Sequence, residues 1–139
     1  MAFRILLDTN ILLDFALKRD GYKGSRQLME WAVQGRVQIF ITPAIMQMTA
    51  YWLTAAYGAV RAKELLLALL SDVRVIDIGH EIAVNALHSR IPNMEDALQY
   101  YTALHHKLDY FISREDGMRA AAIPVLPVCT PEEFLKNNS

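Results

Sequence analysis

The sequence predicts an α/β fold, a central parallel sheet of four to five strands between two layers of helices. Two observations predict it. Short apolar runs alternate along the chain with stretches of helical period, which is the pattern of repeated strand–helix–strand units and of a sheet covered on both faces. Several of the helical stretches also open on specific capping signals placed directly after an apolar run.

The elements follow in order. Phe3 to Leu7 reads as a buried strand that ends in Asp8-Thr9-Asn10, with Ile11-Leu12-Leu13 beginning a helix at once. Asp14, further along that helix, is expected at the surface. Val37 to Ile41 is the second strand, and Thr42-Pro43 after it pairs an N-cap with proline at the first helical position, where the missing N–H costs nothing. On the helix that follows, Met46, Met48, Tyr51 and Trp52 fit a core or a dimer face, with core the simpler reading of any one of them. Leu65, Leu66, Leu69 and Leu70 recur at helical spacing as core positions. Val73 to Ile76 is the third strand. Asn93-Met94-Glu95-Asp96 opens a long helix, and Tyr110 to Ile112 is a strand followed by Ser113-Arg114-Glu115-Asp116. Val125 to Val128 is the last strand, set at an edge by Pro127. Thr130-Pro131-Glu132-Glu133 repeats the Thr-Pro device and adds the Glu of a capping box. No repeat or linker interrupts the 139 residues, so a single domain over residues 1–139 is expected.

Composition narrows the class. With 53% hydrophobic residues, the chain suits a compact core with some apolar surface left for a second copy, most simply a two-fold dimer. Charges interrupt the longest apolar runs, so neither a membrane span nor a secretory segment is expected, and the lone Cys129 fits a reducing cytoplasm. A net charge of −1 is unusual for a nucleic-acid binder. Lys18, Arg19, Lys23 and Arg26 could still form a local basic rim, or simply a solvated surface.

The chemistry lies in the acidic groups. In open α/β sheets ligands bind beyond the carboxyl ends of the strands. Asp8, the pair Glu95 and Asp96, and the pair Glu115 and Asp116 are all expected at that edge. Each has a plainer explanation alone. Asp8 could cap a helix, although Thr9 and Asn10 can supply that cap. Glu95 and Asp96 would each gain about 0.3–1 kcal/mol from the helix dipole, and Glu115 and Asp116 suit a turn before Gly117. Together they form a set of like charges that repel unless a cation sits among them. Hard cations such as Mg²⁺ take oxygen ligands, commonly one or two carboxylates plus waters. Zinc is disfavoured because His105 and His106 are adjacent on a helix and cannot share a face; they suit a solvated helix end. Neither a Gly-rich phosphate loop nor a Gly-x-Ser-x-Gly elbow is present. A haloacid-dehalogenase-type phosphatase needs a second Asp two residues after the first, where Asn10 stands.

These motifs resemble the PIN-domain family, in particular toxins of the VapC type. The resemblance is carried by Ile5-Leu6-Leu7-Asp8-Thr9-Asn10-Ile11-Leu12-Leu13-Asp14, by Glu95-Asp96-Ala97-Leu98 through Asp109-Tyr110-Phe111-Ile112-Ser113-Arg114, and by the ending from Ile123 to Leu135. It implies a PIN-like fold and an endoribonuclease using Mg²⁺ or Mn²⁺, paired with an antitoxin protein. It further implies Asp8, Asp96 and Asp116 as catalytic metal ligands, with Glu115 the alternative for the last, and Thr9, Asn10 and Glu95 in support. The family's second acid falls on Met48, or on Gln47 one residue away, and neither is a carboxylate. That departure keeps open a non-cleaving PIN-like module that binds RNA or protein.

Overall fold

The computed structural model describes residues 2–139. The elements run β1 (Phe3–Leu7), α1 (Thr9–Ala16), α2 (Tyr22–Val33), β2 (Val37–Ile41), α3 (Pro43–Tyr57), α4 (Ala59–Leu69), β3 (Val73–Val75), α5 (His80–His88), α6 (Met94–His105), β4 (Tyr110–Ile112), α7 (Asp116–Ala121), β5 (Val128–Cys129) and α8 (Pro131–Asn138). All strand pairings are parallel, in the order β3-β2-β1-β4-β5. Helices cover both faces in a three-layer arrangement, as the sequence predicts. Ile5, Leu6 and Leu7 on the central β1 are therefore consecutively buried rather than alternating.

The chain lays β1, β2 and β3 outward in one direction and then returns to place β4 on the other side of β1. The strand order thus reverses between β1 and β4, which is where this class of sheet forms a ligand crevice. Leu7 pairs with Ile112, so Asp8 and Ser113 leave adjacent strands at the same level.

Several expectations need correction. The last strand is Val128–Cys129, shorter and later than Val125 to Val128. Residues 123–126 instead form a tight turn, with Leu126 N bonded to Ile123 O at 3.0 Å. The Tyr100 hydroxyl locks that turn by donating to Leu126 O and accepting from Ile123 N. Helix α3 buries Ile45, Thr49 and Leu53, every fourth residue, so Met48, Tyr51 and Trp52 face outward instead of forming core. Of the leucines on α4, Leu69 is buried while Leu65 and Leu66 are half-buried.

Asp14 is also not a surface residue. It is 6% exposed, bonded to Arg19 at 3.1 Å, and 3.5 Å from Arg114 Nε. Arg114 in turn pairs with Glu132 on α8. A buried carboxylate is tolerated when charged donors surround it, and two guanidinium groups do so here. Gly21 makes the room: its φ is +87°, and a Cβ there would stand 2.7 Å from an Arg114 nitrogen and 2.8 Å from Asp14 Oδ2. Gly21→Ala is expected to lose about 1–3 kcal/mol from left-handed backbone strain and displacement of this cluster, measured by urea unfolding. An unchanged midpoint would show that the cluster gives way freely.

Candidate active site

Asp8 stands at the switch point and is itself the N-cap of α1. Its Oδ1 accepts from the Thr9 amide at 2.7 Å, and its Oδ2 accepts from the Ser113 hydroxyl at 2.9 Å. The expectation that Thr9 and Asn10 would supply the cap is therefore wrong, because the helix already begins at Thr9 and both lie inside it. Capping and site placement coexist in one side chain. The Asp8 backbone N–H is bonded to Ile112 O at 3.0 Å, which fixes the residue to β4. Asn10 is occupied by Arg19, whose guanidinium bonds both its backbone and side-chain oxygens.

Asp96 lies in the first turn of α6, where Asn93 caps the helix by accepting from the Asp96 N–H at 3.0 Å. Burial pushes the Asp96 carboxyl up to about 6, and the charges of Asp8, Glu115 and Glu95 add to the rise. Asp8 is also raised, first by burial. The Ser113 and Thr9 hydrogen bonds oppose that rise, and the charges of Glu115 and Glu95 reinforce it. Asp8, Asp96, Glu115 and Glu95 therefore sense one another across the sheet edge. Asp116 begins α7, with Glu115 as the preceding cap residue, and its charge acts on Arg119. Of the two acids that the sequence left open at this position, Glu115 is the one whose charge raises the Asp8 and Asp96 carboxyls.

Sequence reasoning missed Ser113 and Gln99. Ser113 is 1% exposed and bridges Asp8 to the Glu115 amide, which donates to its hydroxyl at 3.0 Å. Its position directly after a strand run was the available signal. Gln99, one turn beyond Asp96, is buried and accepts from the Thr42 hydroxyl at the end of β2 at 2.5 Å. This bond ties α6 to the carboxyl edge of the sheet. Met48 and Gln47 are both exposed on α3, so neither is committed to the core.

Among the described residues, no three His, Cys, Asp or Glu side chains form a ready-made ligand set. The donors nevertheless suit a hard cation. Mg²⁺ typically takes only one or two protein carboxylates and keeps several waters, and Asp8 with Asp96 supplies that number. Burial first, and neighbouring negative charge second, raise both carboxyls, and a cation between them would favour their ionised forms.

Elsewhere, His80, His105 and His106 line a cavity of about 330 Å³. His105 and His106 can both reach it because the helix ends at His105 and His106 is its cap. His106 Nε2 lies 3.0 Å from Asp77 O, so this helix end is more engaged than a merely solvated one. Burial pushes the Cys129 thiol up to about 11, leaving it protonated and unreactive at neutral pH. None of the described helices is long and apolar enough to cross a membrane.

Among curated proteins none matches the sequence. Solved structures do. A chain of a toxin–antitoxin complex from Klebsiella pneumoniae superposes with a TM-score of 0.69 at 25% identity, covering 91% of this chain and 97% of that one. VapBC2 from Rickettsia felis, bound to a DNA fragment from its promoter, gives 0.67 at 17% identity, covering 91% of this chain and 97% of that one. VapC20 of Mycobacterium tuberculosis, a toxin that cleaves the sarcin–ricin loop, gives 0.65 at 19% identity, covering 88% of this chain and 98% of that one. A family model described as a PIN domain matches residues 4–116, a span that includes Asp8, Asp96, Glu115 and Asp116. The chain belongs to the PIN-domain family.

Proposed function

We propose that this protein is a divalent-metal-dependent endoribonuclease, the toxin of a toxin–antitoxin pair, acting in the cytoplasm. The observation that carries the reading is Asp8 at the strand-order reversal, bonded by Ser113 and facing the charge of Asp96 and Glu115. Asp8 and Asp96 would hold Mg²⁺ or Mn²⁺, with Glu115 rather than Asp116 as the third acid, through a water or directly. The cation, when bound, supplies Lewis-acid activation of water and offsets charge on the scissile phosphate. The chain's own residues do the rest. The Thr9 amide and the Ser113 hydroxyl hold the two Asp8 oxygens in fixed directions, Gln99 fastens α6 through Thr42, and Glu95 adds negative charge that favours a bound cation. The test is cleavage of a structured RNA with Mg²⁺, with Mn²⁺ and with EDTA. Cleavage that persists in EDTA would remove the metal dependence, and none under any condition would remove the nuclease reading.

Two surfaces support partners for that function. An apolar groove of about 770 Å³ runs beside Phe15, Tyr22, Met29, Leu65 and Leu69, with Lys18, Arg26, Glu30 and Asp72 among its lining charges. It suits an amphipathic segment of an antitoxin. Met48, Tyr51, Trp52 and Tyr57 are exposed on α3 and suit a second copy of the chain. Light scattering showing a monomer at micromolar concentration would rule out that homodimer.

A second reading has one observation in its favour. Met48 stands where the family resemblance expects a glutamate, so α3 brings no carboxylate from that position, and the protein could bind RNA without cleaving it. Met48→Glu separates the two. Because Met48 is 39% exposed, the substitution is expected to change metal-free stability by no more than about 0.5 kcal/mol. It should tighten Mn²⁺ binding and raise cleavage if that position faces the acidic edge. Unaltered Mn²⁺ affinity in a folded variant would show that α3 does not serve the site.

A further inference from the structure

One loop, residues 113–115, follows β4 at the acidic edge, and it is gripped at two points. Ser113 holds it to the site, donating to Asp8 and accepting from the Glu115 amide. Arg114, the next residue, reaches α1 and α8. Its guanidinium bonds both Glu132 oxygens, one of them at 3.0 Å, and its Nε lies 3.5 Å from Asp14 Oδ2. Arg19 holds the other Asp14 oxygen. Space for this cluster is kept by glycines. A Cβ on Gly21 would press on Arg114 and Asp14, and one on Gly24 would overlap the Glu132 carboxylate.

The sheet does not need these bonds. β4 is already paired on both sides, and the Ser113 backbone N–H is bonded to Cys129 O. The partly exposed Arg114–Glu132 pair contributes little to stability. A two-pronged guanidinium–carboxylate pair does fix orientation, which a lysine ammonium cannot do.

We propose that Arg114 is a positioning residue for the acidic edge. By clamping to Asp14 and Glu132, it fixes the loop so that the Ser113 hydroxyl stays on Asp8 and the Glu115 amide stays on the Ser113 hydroxyl. This deepens the metal-site reading above and rests on it. The clamp acts at a distance from the metal, through Ser113 and Glu115.

The test compares wild type with Arg114→Lys, Arg114→Met and Glu132→Gln, the last removing one arm of the clamp without touching the loop. Mn²⁺ affinity is followed by the electron-paramagnetic-resonance signal of the free ion. Loop order is followed by hydrogen exchange at the Glu115 amide, and kcat and KM for RNA are measured separately. Exchange at Glu115 should speed up about tenfold or more and Mn²⁺ affinity should fall by about 10–100-fold, the usual range for losing a supporting contact. Here kcat should fall with KM little changed, and Arg114→Lys should lie between wild type and Arg114→Met. If wild type binds Mn²⁺ and both Arg114→Met and Glu132→Gln bind it equally well, the clamp is a stability contact and the proposal is wrong, while the metal-site reading stands. If wild type binds no Mn²⁺, the metal-site reading falls and the proposal falls with it. Should Arg114→Met fail to fold, Glu132→Gln decides alone.

Discussion

Asp8→Asn is expected to remove metal-dependent RNA cleavage while leaving the fold in place. Loss of supporting contacts around a metal commonly lowers affinity or activity by 10–100-fold, and a direct ligand should exceed that, so a fall of at least ~100-fold is expected. The fold should survive because asparagine is an equally good N-cap. Its carbonyl can accept from the Thr9 amide, and the Ser113 hydroxyl, which now donates to Asp8 Oδ2, can rotate to accept from the new amide. Burial and the charges of Glu115 and Glu95 disfavour the ionised Asp8, so its removal should leave metal-free stability unchanged or slightly higher. Activity and thermal midpoint should therefore move independently. A variant that loses several degrees without metal would show that the Asp8 carboxylate itself stabilises the metal-free fold, against the expectation for a metal ligand.

The second expectation concerns pH. The Asp96 carboxyl sits at about 6 in the folded protein against an ordinary 3.8. A group raised in this way stabilises the fold fully below the unfolded value, and that contribution is lost as pH rises through about 6. The full shift corresponds to at most ~3 kcal/mol, and partial exposure reduces it to about 1–2 kcal/mol. About half of that loss falls below pH 5, so metal-free protein should melt lower at pH 8 than at pH 5 by roughly 2–5 °C. Glu132 and Glu133 do not obscure this window. Arg114 and Arg119 respectively hold them below the usual carboxylate range, so their contribution is already complete above pH 5. A bound cation favours the ionised acids, so Mg²⁺ should stabilise more at pH 8 than at pH 5 and reverse the trend. Asp96→Asn should flatten the metal-free curve. A wild-type curve already flat between pH 5 and 8 would show that the acids at this edge do not strain the fold.

What was legible in the sequence was local. Phe3 to Leu7 and Val37 to Ile41 announced themselves as apolar runs with matching ends, and Thr42, Asn93 and Thr130 cap the helices that their spacing indicated. Asp14 was not legible, because the charge that makes its burial tolerable comes partly from Arg114, far along the chain. Glu115 and Asp116 were not distinguishable in the sequence, because they differ by whether a residue lies just before or just inside a six-residue helix, a one-residue distinction that turn propensities do not resolve. Met48 looked like core because the inward stripe of α3 includes a polar residue, Thr49, whose hydroxyl is satisfied by Ile45 O. The strand order, which decides where the crevice lies, has no local signature at all.

That order has a consequence for the chain as it is made. The strand that becomes the centre of the sheet is synthesised first, and the neighbour that completes it arrives last but one, with 105 residues between Asp8 and the hydroxyl that holds it. A chain emerging from the ribosome with β4 still inside the tunnel has β1 unpaired along one side and Asp8 without Ser113, and lacks Glu115. The acidic edge is thus built in one late step, when β4 slots in beside β1. Until then the unfinished chain carries the acids of that edge without the edge.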